Sequence, residues 1–363
     1  MFKTTIRLTL ALSFLLFLQS VGWAQKYSNE FLSIGVSAGA QALGNAVVAQ
    51  VDDVTATYWN PAGLASISGE TGLQIGAMHA EWFAGIGKYD YLGMSLPMAN
   101  SDRRLGISLI RFGIDGIPNT LSLYEDDGTV NYDNIVEFSA ADYALFMSYA
   151  QKSKWLGGNL QVGGNFKIIR RQIGSFANSW GFGLDLGLEY ALKQWRFGLM
   201  AKDVTTTVNS WRVTFTEEEK DVLLATGNEL PDLRSTEITR PQLLLGAAYL
   251  FQFGKVSLVP ELDFWVTTDG QRNTLISGDP FSVDMGFGLE AGYKDFVFLR
   301  ARLNQFQEEL GFDGNSTLTL RPSMGVGLKI SSLVIDYAYT DLGDSQNRFS
   351  RVISLMLSLK PKT

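Results

Sequence analysis

His79 is the one histidine of the 363-residue chain, and cysteine is absent. Those two counts remove most catalytic and metal-binding chemistry: thiolate nucleophiles, disulfides and Cys/His metal clusters have no residues to draw on. His79 has Glu81 and Asp90 near it in sequence, but a hydrolytic triad also needs a nucleophile, and no Gly-x-Ser-x-Gly marks one. The chain therefore predicts no enzyme, no cofactor and no resident metal. Glu125-Asp-Asp-Gly128, Asp133 and the pair Asp52-Asp53 carry oxygens of the kind a calcium loop uses, yet without its full spacing they read as solvated turns.

The remaining charges follow a pattern. Lys167, Asp185, Glu189, Asp284, Glu290, Arg300, Arg302 and Lys329 each alternate with apolar neighbours. In residues 180–190, Trp180, Phe182, Leu184, Leu186, Leu188 and Tyr190 fall on one face of a strand; Gly181, Gly183, Asp185, Gly187 and Glu189 fall on the other. Residues 282–293 and 322–330 repeat it. One greasy face and one small or charged face need two solvents. In a membrane barrel these are lipid outside and a polar lumen inside. The eight charges are then lumen residues of both signs.

Strands of this kind are predicted at 71–79, 89–97, 103–112, 140–151, 159–170, 179–192, 195–204, 241–253, 255–266, 282–293, 295–304, 322–330, 333–341 and 349–359, about fourteen in all. Most are long enough to cross a bilayer at a tilt, where globular strands average about six residues. Short links at 193–194, 254–255, 294–295 and 331–332 alternate with long ones at 113–139, 205–240, 267–281 and 305–321. That parity is expected of an outer-membrane barrel with tight periplasmic turns and long outer loops. Trp155, Trp195 and Tyr293 near the short turns, and Trp180 and Trp265 near the long loops, suit interfacial girdles. The fold expected is all-β: a transmembrane antiparallel β-barrel of about fourteen strands.

The N-terminus reads as a secretory signal over residues 1–24. Lys3 and Arg7 precede an apolar run from Leu8 to Leu18, and Gly22 and Ala24 are small residues before Gln25. Lys and Arg number 30 against 37 Asp and Glu. Removing the signal takes two cations with it, so the mature chain is acidic and ill suited to nucleic acid. No stretch after the signal is apolar for long enough to form a spanning helix.

Within 205–240, Thr216 and Glu219 form a capping-box pattern ahead of Val222, Leu223 and Leu224. A short helix with an apolar patch on an outer loop is a candidate docking surface.

Residues 25–68 break the dyad. They are rich in Ala and Gly and read as short helical pieces with turns at Asp52-Asp53 and Asn60-Pro61. Such a segment beside the periplasmic mouth suits a plug, or hatch, ahead of the barrel at 69–363. Its string Gly44, Asp52, Asp53, Tyr58, Trp59, Asn60, Pro61 and Gly63 resembles the N-terminal signature of the PorV/PorQ family of type IX secretion outer-membrane proteins. That family in turn resembles the FadL-type fourteen-strand barrels, whose hatch has a similar Asn-Pro-Ala. The resemblance implies a multi-pass barrel in outer-membrane lipid. Its outer loops and upper lumen would bind cargo C-terminal domains or translocon and attachment components. The alternative is a FadL-like transporter of hydrophobic small molecules, which predicts an apolar pocket against the hatch and a lateral opening in the wall. The terminal Lys360-Pro-Lys-Thr363 departs from barrels that end in an aromatic residue.

Overall fold

The computed structural model describes residues 28–360 apart from 83–84, 99–101, 126–127, 228, 231, 311–315 and 342–348, with side chains described outside 303–321 and 341–349. The proposed signal and residues 25–27 lie outside the described residues, as do Asp126 and Asp127.

Alternating sequence becomes antiparallel sheet. Strands β1 (Gln74–Trp82), β2 (Gly87–Pro97), β3 (Arg103–Asn119), β4 (Val136–Ser153), β5 (Leu160–Ile173) and β6 (Ala177–Leu192) pair in chain order. β7 (Trp195–Lys202) and β8 (Thr207–Val213) pair successive parts of β6, as one wall strand interrupted at 203–206. β9 (Arg234–Thr239), β10 (Gln242–Tyr249) and β11 (Phe251–Phe253) form the next wall strand, β9 on β8 and β10 on β7. β12 (Val256–Thr267), β13 (Ser282–Tyr293), β14 (Val297–Leu310), β15 (Ser316–Ile330), β16 (Leu333–Asp341) and β17 (Phe349–Ser358) complete the order. β17 returns to β1 from Gln74↔Ser358 to Glu81↔Arg351, closing a 14-strand barrel. Closure gives each wall strand a paired neighbour on both sides, the condition for sheet in lipid.

The dyad faces as expected. Trp180 and Phe182 stand 51% and 52% exposed on the outside, while Asp185 and Glu189 between their neighbours are buried. Trp155, Trp195 and Tyr293 are also exposed. Trp265 is not a girdle residue: it points inward and packs on Val48, Met200 and Leu244. Its place in β12 shares the parity of buried Glu261 and Asp263, a pattern visible in Glu261-Leu-Asp-Phe-Trp265.

The long links contain more structure than loops. β3 and β4 stay paired out to Asn119↔Val136 past a register shift, and β14 pairs β15 out to Leu310↔Ser316. Residues 205–240 hold the β8–β9 hairpin and the helix Glu217–Ala225. Parity is also looser than expected, because β5 and β6 are joined on the long-link side by residues 174–176 alone.

Residues 28–68 fill the inside. They form a 3-10 turn Glu30–Ser33, short helices Ala38–Ala42 and Ala56–Trp59, and a 3-10 turn Pro61–Ser66. Val36, Leu43, Tyr58, Trp59 and Leu64 join inward Met78, Tyr89, Tyr91 and Phe146 in one core. The segment begins high rather than at the periplasmic mouth. Asn209 of β8 donates to Ser28 Oγ (3.2 Å), Asn29 donates to Thr239 Oγ1 of β9 (2.8 Å), and Glu30 meets Arg272 of the 268–281 link (3.5 Å). From there it descends to the short-turn side, where Gly72 N donates to Leu359 O (2.7 Å).

Candidate functional site

The small face of the barrel is the seat of this segment. A Cβ on Gly163 would lie 2.5 Å from Ala62 N; on Gly187, 2.9 Å from Pro61 Cδ; on Gly198, 2.5 Å from Val48 C; on Gly288, 2.9 Å from Leu43 O; and on Gly325, 2.5 Å from Ala42 Cβ. Glycine therefore marks where plug meets wall, on the face that the alternation assigned to the lumen.

The hatch string does the local work expected of it. Pro61 forces the preceding residue extended, and Asn60 is at φ −161, ψ 104. Asn60 Oδ1 accepts from Ala62 N (3.2 Å), and its amide donates to Val48 O (2.9 Å) and Leu188 O (3.1 Å). Trp59 Nε1 donates to Val36 O (2.9 Å), and Tyr58 donates to Leu32 O. Burial pushes the Tyr58 phenol above its ordinary range. Gly44 turns at φ 68, and a Cβ on Gly63 would lie 2.7 Å from Glu189 Oε1. Asp53 Oδ1 accepts from Thr55 N (2.7 Å) and Thr55 Oγ1 (2.6 Å). Burial pushes its carboxyl up to about 6 against those bonds. Asp52 stands at the rim, 3.8 Å from Arg196.

The predicted lumen charges separate into groups. Lys167 lies 2.8 Å from Asp185 and 2.6 Å from Asp203, and Asp185 accepts Asp203 N (2.9 Å). Arg300 sits between Glu290 (2.6 Å) and Asp336 (2.5 Å). Glu189 accepts from Ser66 Oγ of the plug (3.0 Å). Asp284 accepts Met285 N (2.9 Å) and, with Arg302, lines the upper cavity. Lys329 lines the lower cavity near the rim, half exposed, and pairs with Asp295 of a short turn at 2.5 Å. Most of these groups neutralise one another and fix the wall.

Other inward groups were not singled out by the sequence. Arg104, 2% exposed, donates to Ser95 Oγ (3.2 Å), Gly72 O (3.1 Å) and Thr71 O, fastening the plug's exit. Asp263 and Glu261 accept backbone N–H groups of the plug. Lys202 ends β7 with its ammonium 4.5 Å from the Tyr58 ring and 5.8 Å from Trp59. It makes no ion pair among the described residues. A lone cation ending a strand carries no repeating signal in the sequence.

Among the described residues, the plug is bordered by a cavity above and another below. The upper one, about 470 Å³, lies on the long-link side against the plug, with Tyr58, Trp59, Phe146, Lys202, Leu244 and Trp265 in its lining. It is not the wholly apolar pocket expected, since Asp185, Asp203 and Arg302 line it too. The lower one, about 660 Å³, opens among the short turns at Gln194, Asp295 and Ser331. Trp59 borders both. The lateral opening expected has its nearest counterpart in the break at 203–206. There Val204 N still donates to Leu184 O (2.9 Å), and Asp203 and Thr207 stay buried.

The outer helix has the predicted capping box: Glu219 N donates to Thr216 Oγ1 (3.2 Å) and Thr216 N to Glu219 Oε2 (2.8 Å). Leu224 is exposed, while Val222 and Leu223 are partly covered. His79 faces outward, Nδ1 2.7 Å from Asp90. Glu125 accepts from Asn131 (2.7 Å) and Asn134 (3.1 Å), which hold its carboxyl below the usual range.

No known protein-family description and no curated protein matches the chain. Solved structures do. The toluene transporter TbuX of Ralstonia pickettii aligns over 90% of this chain and 98% of its own, at 15% identity and TM-score 0.55. A FadL homologue from Pseudomonas aeruginosa covers 90% and 98% at 13% identity and TM-score 0.52. The CymD monoaromatic hydrocarbon channel covers the same shares at 13% and 0.52. At these identities the likeness establishes the fold: a FadL-like outer-membrane barrel. These neighbours are channels and transporters, not enzymes. A specific PorV/PorQ likeness is not among these matches.

Proposed function

We propose that the chain is an outer-membrane uptake channel for hydrophobic small molecules, favouring those with one acidic group. The observation that carries this reading is the upper cavity. Its volume falls in the range of small-molecule sites, about 300–1,000 Å³. It places aromatic and aliphatic side chains beside Lys202, an ammonium held over two rings and without a carboxylate partner. Cation–π contact leaves the ammonium's remaining hydrogens available to an incoming anion. The neighbours' named solutes, toluene and monoaromatic hydrocarbons, support an apolar solute class; the lysine argues for the acidic end.

The test is uptake of radiolabelled octanoate, toluene and glucose by bacteria deleted for their own hydrophobic-uptake channel and expressing this chain in the outer membrane. Octanoate and toluene entry should exceed the empty-vector rate and glucose entry should not. Lys202→Met should slow octanoate and spare toluene. Uptake no faster than in empty-vector cells overturns the reading.

A second reading, protein–protein contact with cargo C-terminal domains or attachment components in type IX secretion, is favoured by two features. They are the hatch string from Gly44 to Gly63 and the capped outer helix with exposed Leu224. Secretion partners co-purifying with the tagged barrel in mild detergent would move that reading ahead.

A further inference from the structure

We propose that Asp263 and Glu261 are a latch holding the middle of the plug to the wall. A solute would pass from the upper to the lower cavity when residues 47–49 leave it, a route that rests on the uptake reading above.

The latch lies in one row of the sheet. Glu189 pairs with Gly198, Gly198 with Gly246, Gly246 with Asp263, and Asp263 with Gly286. Two adjacent glycines make a shallow slot between carboxylates. The plug backbone lies in it: a Cβ on Gly198 would be 2.8 Å from Ala49 Cα, and one on Gly246 3.1 Å from Ala49 N. Asp263 Oδ2 accepts from Val47 N (3.0 Å) and Val48 N (3.1 Å), and Glu261 Oε1 accepts from Ala49 N (2.7 Å). These donors lie outside any helix, so the carboxylates are their partners.

The hold is a costly one. Asp263 and Glu261 are 0% and 1% exposed, and neither makes an ion pair among the described residues. Asp263 Oδ1 and Glu261 Oε2 accept from no N–H or hydroxyl among the described residues. Buried carboxylates without a counter-cation pay a desolvation penalty that their bonds offset only in part. Further round the wall, β5 and β6 hold the plug mainly through amides, Asn165 donating to Thr57 O (2.9 Å) and Asn60 to Leu188 O (3.1 Å), beside the one bond from Ser66 to Glu189 (3.0 Å). One side is therefore suited to stay while the other lets go.

Position gives the release a consequence. Along β10, Leu244 borders the upper cavity and Ala248 the lower. Along β12, Trp265 borders the upper and Val259 the lower. Between these pairs lies the seated segment. Its departure leaves a slot floored by glycine, with Met200 and Leu244 beside it and carboxylates at its ends.

Two measurements test this. In Glu261→Ala/Asp263→Ala, hydrogen exchange should quicken at least tenfold at amides 47–49 and stay unchanged at 57–62. Exchange that is unchanged, or that rises equally in both segments, overturns the latch, whether or not the wild type carries solute. Separately, Val48→Cys/Leu244→Cys joins two side chains that pack together in a chain with no native cysteine. Oxidation should cut octanoate uptake at least tenfold and reductant should restore it; equal uptake in both states overturns the route. Failure of the wild type to take up octanoate or toluene at all is a failure of the uptake reading. The cross-linked pair keeps the test available if the double-alanine barrel fails to assemble.

Discussion

Gly163 and Gly164 are adjacent, identical residues on opposite faces of β5, and alanine should have opposite consequences at the two. At Gly163 the new Cβ would meet Ala62 N at 2.5 Å and Pro61 O at 2.7 Å, where ordinary contact begins at 3.4 Å. The obstacle is backbone, with Pro61 C nearest at 2.4 Å, so the plug must move by about 1 Å to clear it. Overpacking of that kind costs about 1–3 kcal/mol. A shift of that size also stretches the Asn60 bonds, now 2.9 Å to Val48 O and 3.1 Å to Leu188 O, toward the limit of hydrogen bonding. One or two lost neutral bonds add about 0.5–1.5 kcal/mol each. Together these give about 1.5–6 kcal/mol, roughly ten- to twenty-thousand-fold in local opening at 1.4 kcal/mol per tenfold. At Gly164 the nearest atoms are Asp185 O at 3.3 Å and Leu186 Cδ2 at 3.5 Å on the outer face. A small outward side chain there should stay within about 0.5 kcal/mol of wild type. Hydrogen exchange of residues 56–66 in purified, folded barrel reads both variants. Wild-type exchange in Gly163→Ala, or a matching increase in Gly164→Ala, would refute the claim that inward glycines are the plug's seat.

Three further outcomes are expected. Arg104→Met removes three hydrogen bonds from a buried guanidinium. At about 1.5–3 kcal/mol per charged bond, exchange at 71–74 should rise at least a hundredfold, which mass spectrometry of that segment checks. Asp53 has its carboxyl raised to about 6 by burial. A raised acid opposes folding once ionised, so plug protection should fall as pH rises from about 4 to about 6. Asp53→Asn should flatten that fall; an unchanged profile would assign it to another group. Thr216→Ala deletes the cap of the outer helix and should cost about 1 kcal/mol of local stability. Faster exchange at 217–225 with unchanged octanoate uptake is the expected pair of readings.

The architecture was legible because β-alternation reports burial directly. Trp180 to Tyr190 assigned lipid and lumen faces correctly, and the capping box at Thr216 placed the outer helix. What the period cannot report is the content of the lumen. Gly181, Gly187 and Glu189 look equivalent in sequence. Yet Gly187 lies under Pro61, Glu189 receives Ser66, and Gly181 leaves room for the Asn209 side chain. Those distinctions come from contacts distant in sequence, the two to the plug more than a hundred residues apart. Lys329 shows a related limit: parity gives a side chain's direction but not its height along the strand, and Lys329, lining the lower cavity, sits low enough to reach the Asp295 turn. The long links were read as loops because their sequences lose the greasy face once clear of lipid, although the hydrogen bonds continue.

The seam between β1 and β17 constrains how this molecule can be made. It joins the first and last strands, so it cannot zip until the whole sheet has been synthesised. The plug touches both sides of that seam, Ala38 N donating to Ser354 Oγ of β17 and Ser37 N to Met78 Sδ of β1. It also lies against Gly163, Gly198, Gly288 and Gly325 around the circumference, with no clearance to spare. A segment fitted this closely does not slide up a finished lumen past inward side chains. The sheet has to close around it, which makes the plug the mandrel on which the barrel is wound.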